Sequence, residues 1–287
     1  MNPEKRELPK AKEYEGMSQY RPPLNYELVG KSFELVMDTG YDYTLTFLDR
    51  TTLSYGQKGE APAVHSYDCL KADEDTYFVN FYLSQKAPVS TLAIILDMEQ
   101  SLVTTGFASV DVNPRYPTMP KTEINFGAIR REDGTIPSIR HGYTADMVGR
   151  AIAWNYGTME VVHIYSSERY YRLAVTPEET ARRKAADPEA YARREANNAR
   201  RLYEEPADYI KIKDGMYIFN ANEVMKCREV GFGSNLLFLM DLNRLHDVGR
   251  SFGYKANGET ENYTFGAFGR YYDCSELIAR PSTEFIR

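Results

Sequence analysis

Residues 149–172 read GRAIAWNYGTMEVVHIYSSERYYR, and residues 30–47 read GKSFELVMDTGYDYTLTF. Laid over one another, they share a glycine-basic opening, a strand-like run, a turn and a second strand-like run. The match extends outward in both directions. Leu28-Val29-Gly30-Lys31 falls on Met147-Val148-Gly149-Arg150 at an offset of 149 − 30 = 119, and Leu45 to Phe47 on His163 to Tyr165 at 163 − 45 = 118. Further along, Leu96-Asp97-Met98 falls on Met240-Asp241-Leu242 at 241 − 97 = 144, and Phe126-Gly127-Ala128 on Phe265-Gly266-Ala267 at 265 − 126 = 139. Self-similarity of this kind marks a repeated structural unit. The chain is therefore read as a duplication.

The unit itself is built of short alternating runs. Lys31 to Met37, Tyr43 to Leu48, Thr52 to Tyr55, Thr76 to Leu83, Thr91 to Met98 and Leu102 to Val110 have the period of two expected of half-buried strands. Turn residues such as Asp38-Thr39-Gly40, Asp49-Arg50 and Asp73-Glu74-Asp75 separate them. Such a meander closes into a barrel or folds into a sandwich. The jump in offset, from about 119 to about 144, requires an insertion in the second copy. Thr176-Pro177-Glu178-Glu179 carries the capping-box pattern, with proline at the first helical position, so a helix is expected to start there. The insertion is placed over residues 177–205, with Asp187-Pro188 ending one helix and starting the next. It is expected to lie solvated over the barrel, with a lid or a homodimer contact as the alternative.

The expected organisation is an N-terminal arm over residues 1–22, a first barrel over 23–135 and a second barrel over 136–287. The whole is 287 residues with 43% hydrophobic and 26% charged residues, a net charge of −6 and a pI near 5.4. Those are values of a folded, soluble protein. The acidic balance argues against a nucleic-acid partner, whose phosphates are held by clustered Lys and Arg. The N-terminus has no apolar core of a leader and no run is long enough to span a bilayer, so a cytoplasmic protein without membrane contact is expected. Cys69, Cys227 and Cys274 are too far apart for a CxxC metal or redox pattern. His65, His141 and His246 stand alone. No metal and no cofactor is assigned.

The duplication supplies an internal control for function. The first copy carries Leu35, Met37, Leu45 and Phe47 where the second carries Trp154, Tyr156, His163 and Tyr165. Each pair is spaced i, i+2 and so shares one face of a strand. If that face points inward, one barrel is filled with hydrocarbon and the other is lined by hydrogen-bonding groups. An unpaired buried imidazole or phenol costs about 1–3 kcal/mol, so these groups call for partners. Trp154, Tyr156 and Arg172 are read as substrate-binding, the last through bidentate recognition of a carboxylate. His163, Tyr165 and Glu223 are read as catalytic; Glu223 is in phase with Phe219 and Ala221 and is expected to face inward as an acid or base.

The stretches LVGKSFELVMDTGYDYTLTFLDRTTLSYG, DMVGRAIAWNYGTMEVVHIYSSERYYRL, DGMYIFNANEV and DVGRSFGY together resemble the MoaF-like family, named for molybdenum cofactor biosynthesis protein F. The resemblance covers most of residues 25–270. It implies tandem lipocalin-like barrels of the calycin architecture and a link to the molybdenum cofactor or its pterin. The LVGK opening also resembles the phenolic acid decarboxylases, single barrels that use paired tyrosines with Arg and Glu. Here the tyrosine positions hold Leu35 and Met37 in one copy and Trp154 and Tyr156 in the other, so only half of that pair survives.

The fold expected is all-β, two tandem antiparallel lipocalin-like barrels with a helical insertion in the second. The function expected is binding of a small aromatic or heteroaromatic metabolite in the second barrel. A cofactor-independent lyase, decarboxylase or isomerase is the first alternative, and an oligomerisation protein with a vestigial cavity the second.

Overall fold

The computed structural model describes residues 16–189, 191–192 and 204–273. Most of the arm, the middle of the insertion and Cys274 lie outside them. Strands β1 (Ser32–Met37), β2 (Asp42–Phe47), β3 (Thr52–Gln57), β4 (Ala63–Lys71), β5 (Thr76–Ser84), β6 (Ser90–Asp97), β7 (Leu102–Ser109) and β8 (Lys121–Ile129) form a closed antiparallel barrel. After a short strand, β9 (Gly142–Tyr143), the second barrel comprises β10 (Ala151–Asn155), β11 (Glu160–Ile164), β12 (Tyr170–Ala174), β13 (Glu205–Lys213), β14 (Met216–Asn222), β15 (Ser234–Asp241), β16 (His246–Tyr254) and β17 (Thr260–Tyr271). It closes through Tyr170↔Pro206 and Tyr171↔Glu205, while further along β13 the partner is β9. The chain is thus all-β with two antiparallel barrels in tandem. Its helices among the described residues are α1 (Pro177–Ala186), α2 (Val224–Val230), a single 3-10 turn at Gly16–Ser18 and a short helical stretch at 188–189 and 191–192. No helix there is long and apolar enough to cross a membrane.

Strand β4 is absent from the runs found in the sequence. Its inward residues are Tyr67 and Cys69, spaced by charged and polar neighbours in AVHSYDCLK, so it lacks the aliphatic beat that marks the others. The sequence match also slips at the last strand. In the paired registers Val103 faces Gly127 and the equivalent Asp247 faces Ala267, which gives an offset of 267 − 127 = 140 rather than 139. Phe126 therefore corresponds to Gly266. A one-residue slip moves every side chain to the opposite face, and Phe126 indeed packs outside its barrel while Phe265 packs inside.

Three cores result. One fills each barrel, and a third lies between them. Leu70, Phe78, Ala93 and Ile95 on the outside of the first barrel meet Ile210, Ile218, Leu237 and Leu239 on the outside of the second. These are equivalent positions, at 210 − 70 = 140, 218 − 78 = 140, 237 − 93 = 144 and 239 − 95 = 144. Every residue of β6 is consequently buried, because Leu92, Ile94 and Leu96 fill the barrel while Ala93 and Ile95 face its neighbour. His141, read from sequence as standing alone, is pinned at this junction. Its Nδ1 lies 2.8 Å from Thr104 Oγ1 and its Nε2 3.4 Å from Asp97 Oδ2. Gln100 Nε2 donates to the same Asp97 oxygen at 2.6 Å and to Ile212 O. Burial raises the Asp97 carboxyl, but these hydrogen bonds outweigh it and hold the group below its ordinary range. Arg250 is less well provided: buried between the barrels, its Nε and Nη1 have no partner, and burial pulls its pKa down to about 9.

The described part of the arm packs on the second barrel before the chain enters the first. Met17 joins the second barrel's interior core, Ser18 Oγ donates to Thr264 O, and Arg21 Nη1 donates to Thr264 Oγ1 at 2.9 Å. Asn25 N then bonds Cys69 O on β4. Helix α1 starts where the capping box predicts, with Thr176 Oγ1 accepting from Glu179 N at 3.2 Å. It sits against the turn between β10 and β11, since Thr176 Oγ1 donates to Glu160 Oε1 and Arg182 Nη2 to Thr158 O.

Helix α2 is held at its N-terminus by a buried carboxylate. Glu205 accepts from Met225 N at 2.8 Å and Lys226 N at 2.7 Å, a favourable place for negative charge. Burial is the stronger influence and raises the pKa from 4.5 to about 7. The fold thus favours the protonated form: its stabilisation is complete below pH 4.5 and disappears as pH rises past 7. Denaturant unfolding followed across pH 4.5–8 is expected to show stability falling with pH, and Glu205→Gln to flatten that slope.

Candidate functional site

The hairpin of β10 and β11 pairs Ile152 with His163 and Trp154 with Val161. The even positions of β10 and the odd positions of β11 therefore point the same way, into the barrel. Trp154, Tyr156, His163 and Tyr165 are all buried there, and Leu35, Met37, Leu45 and Phe47 are buried inside the first barrel. The four polar-aromatic residues stand on one interior.

Most of their polar atoms find each other. Trp154 Nε1 donates to Tyr165 OH at 3.2 Å, and that hydroxyl donates to Met240 Sδ at 3.2 Å. Tyr156 OH donates to Asp247 Oδ2 at 3.2 Å. Asp247 was not among the residues read from sequence. The signal was present: the 144 offset that matches Asp97 to Asp241 also places Asp247 on Val103, an interior residue of the first barrel. A carboxyl thus replaces hydrocarbon at a matched interior position, as at the other four.

Two buried atoms have no hydrogen-bond partner, His163 Nδ1 and Asp247 Oδ1. The imidazole is ringed by Phe219 and Phe238, each 5.2 Å away between centroids, Tyr171 at 5.8 Å and Tyr165 at 6.4 Å. Burial alone pushes its pKa down to about 3, so it is neutral at pH 7. Burial likewise raises the Asp247 carboxyl well above the carboxylate range, outweighing the Ala267 N–H and the Tyr156 hydroxyl. Tyr156 and Tyr165 are raised well above the usual phenol range, chiefly by burial. Burial thus disfavours charge on both the Asp247 carboxyl and the His163 ring, and leaves the ring nitrogen Nδ1 without a hydrogen-bond partner.

Larger rings fit because their neighbours are smaller. Leu35 faces Ile129 across β1 and β8, whereas Trp154 faces Gly269 across β10 and β17. A Cβ on Gly269 would lie 2.6 Å from the Trp154 ring. Similarly Thr105 faces Asn125 in the first barrel and Gly249 faces Phe265 in the second. Volume is exchanged across each pair, which keeps packing density. Phe219 lies stacked between Tyr209 (5.6 Å, 10°) and Phe238 (5.0 Å, 17°) in the middle of the box.

Arg172 and Glu223 stand apart from this interior. Arg172 points outward, with its Nε on Glu204 Oε1 at 2.8 Å. Strand β14 ends at Asn222, so Glu223 leaves the strand period and becomes the residue before α2. Its Oε2 accepts from Lys226 Nζ at 2.7 Å and Ser234 N at 3.0 Å. Among the described residues no group of three or more His, Cys, Asp or Glu side chains comes together as a metal site would require.

Residues 14–111 match the family model described as the MoaF N-terminal domain, a stretch that includes β1 to β7 of the first barrel. The match supports a MoaF-like assignment. No curated protein matches the chain. A solved structure, "Crystal Structure of a putative beta-lactamase from Burkholderia vietnamiensis", is 22% identical over 38% of this chain and 96% of its own, with a TM-score of 0.29. At that score the likeness carries no argument about activity.

The glycine opposite Trp154 is a test of the exchange of volumes. Gly269→Ala forces a methyl against a buried indole and is expected to destabilise by about 1–3 kcal/mol, the usual range for overpacking. Urea unfolding followed by Trp154 emission measures it, and Ile129→Ala in the first barrel serves as the opposite change, a cavity.

Proposed function

We propose, with a MoaF-like first barrel as the premise, that the protein binds a small planar aromatic or heteroaromatic metabolite inside the second barrel. One observation carries the reading: His163 Nδ1 and Asp247 Oδ1 are buried without partners in an interior that otherwise pairs its polar atoms. A ligand presenting a donor to the imidazole nitrogen and an acceptor to the protonated carboxyl relieves both costs. The indole of Trp154 supplies an aromatic ring against which such a ligand stacks. The entrance is supplied by the arm, because Met17 belongs to the interior core but comes from outside the barrel.

A cofactor-independent lyase, decarboxylase or isomerase is the second reading, favoured by the protonated Asp247. An acid and a base with pKa values pushed apart by their surroundings are the usual equipment for proton transfer. With its pKa near 3, His163 is a weak base at neutral pH, so in this reading Asp247 delivers the proton and His163 orients the substrate.

Trp154 is the single tryptophan, so its emission reports the site directly. Titration with pterins, the probes suggested by the family name, is expected to quench it saturably. His163→Ala is expected to weaken binding about tenfold, the loss of roughly one good hydrogen bond. Met17→Ala is expected to speed association. If no such compound alters the emission of the folded protein, the binding reading fails.

A further inference from the structure

The first barrel is open where the second is filled. Its interior ends in a calyx of about 360 Å³ whose lining includes Tyr43, Tyr55, Thr105, Phe107, Glu123 and Asn125. At the equivalent places the second barrel holds Gly249 and Phe265 for Thr105 and Asn125, and Tyr263 for Glu123 (263 − 123 = 140). Phe265 is part of the second barrel's core and Tyr263 packs against it. The calyx of the first barrel thus exists because Glu123 and Asn125 stand on its wall where its twin carries the rings of Tyr263 and Phe265.

Those polar groups are unoccupied. Thr105 is 5% exposed, and among the described residues its hydroxyl, the Asn125 amide and the Tyr43 and Tyr55 hydroxyls make no side-chain hydrogen bond. Thr105 and Asn125 are directly opposed across β7 and β8, so their polar ends present adjacent donors and acceptors. Tyr43 and Tyr55 stack at 5.1 Å and 4°, which makes a flat wall on the other side. The charged residue of the lining, Glu123, is already paired with Lys121 at 2.8 Å.

We propose that this calyx is a second binding site, for a neutral planar heteroaromatic of one or two rings that carries hydrogen-bond donors and acceptors along one edge. The edge meets Thr105 and Asn125, and the ring face lies along the tyrosine wall. The volume lies in the range of small-molecule pockets, near its lower end. Because the free polar groups are all neutral, an anion of the same shape gains no counter-charge and is disfavoured. The proposal is independent of the reading of the second barrel.

Adenine is a suitable probe, being neutral, planar and edged with both donors and acceptors; benzoate is its anionic control. Calorimetric titration of the full chain is expected to show one adenine bound, with Trp154 emission unchanged because the tryptophan lies in the other barrel. Thr105→Val removes the hydroxyl at constant shape and is expected to weaken binding about tenfold, as is Asn125→Leu. Tyr43→Phe, a loss of one rim hydroxyl, provides a third variant whose folding is not at risk. The proposal is overturned if adenine does not bind at millimolar concentration, if benzoate binds as well, if Trp154 emission responds, or if Thr105→Val and Tyr43→Phe both bind like the parent.

Discussion

The apolar face shared by the two barrels governs the rest of the structure. Leu70, Phe78 and Ile95 press on Ile210, Ile218 and Leu239, so strands that would be half-solvated in a lone barrel are covered on both sides. Sheets buried on both faces lose the alternation of apolar and polar residues, which is why β6 reads STLAIILD without a solvent side. Any polar group buried on such a strand must then find its partner within the protein. Asp97 meets this demand through His141 and Gln100, and Asn80 through Asn262. Arg250 does so only in part, through Nη2 to Gly106 O at 3.5 Å, and its unbonded Nε and Nη1 oppose the association that the apolar contacts drive.

The duplication and the barrel-forming meander were legible because they rest on local pattern: alternating runs, turn residues and recurring glycine. So was the difference between Leu35, Met37, Leu45 and Phe47 and their counterparts, and the inward direction of all four follows once the strands pair. Legibility ended where the argument needed register or strand length. Phe126 and Phe265 look equivalent in sequence and are one residue out of step, because neighbouring glycines invite the match and only ladder pairing exposes it. Glu223 is in phase with Phe219 only while the strand continues, and it stops at Asn222. Asp247 was within reach of the repeat but carried no local sign of burial, since an aspartate on a strand is usually read as a solvent-facing residue.

The two interiors divide the same architecture differently. In one, indole, phenol, imidazole and a protonated carboxyl are packed among phenylalanines, with glycines withdrawn to make room and an arm and a helix laid over the end. In the other a mixed aliphatic and aromatic core fills part of the barrel, and the rest is left as a calyx with unsatisfied hydroxyl and amide groups. Aromatic crowding and polar vacancy are thus distributed between matched positions, a pattern that uniform core packing would not produce.

The shared face has a further consequence for ancestry. Because equivalent residues of the two units meet there, the contact has the self-complementary character of a twofold-symmetric dimer interface, in which one patch recognises its own copy. A single unit carrying this patch would pair with itself, and two copies joined in one chain make that association intramolecular, at high effective concentration. Fusion also released the halves from identity. A homodimer must place every substitution in both subunits, whereas here tryptophan could enter one barrel alone, together with the glycine that accommodates it, while the sister barrel kept its leucine and isoleucine.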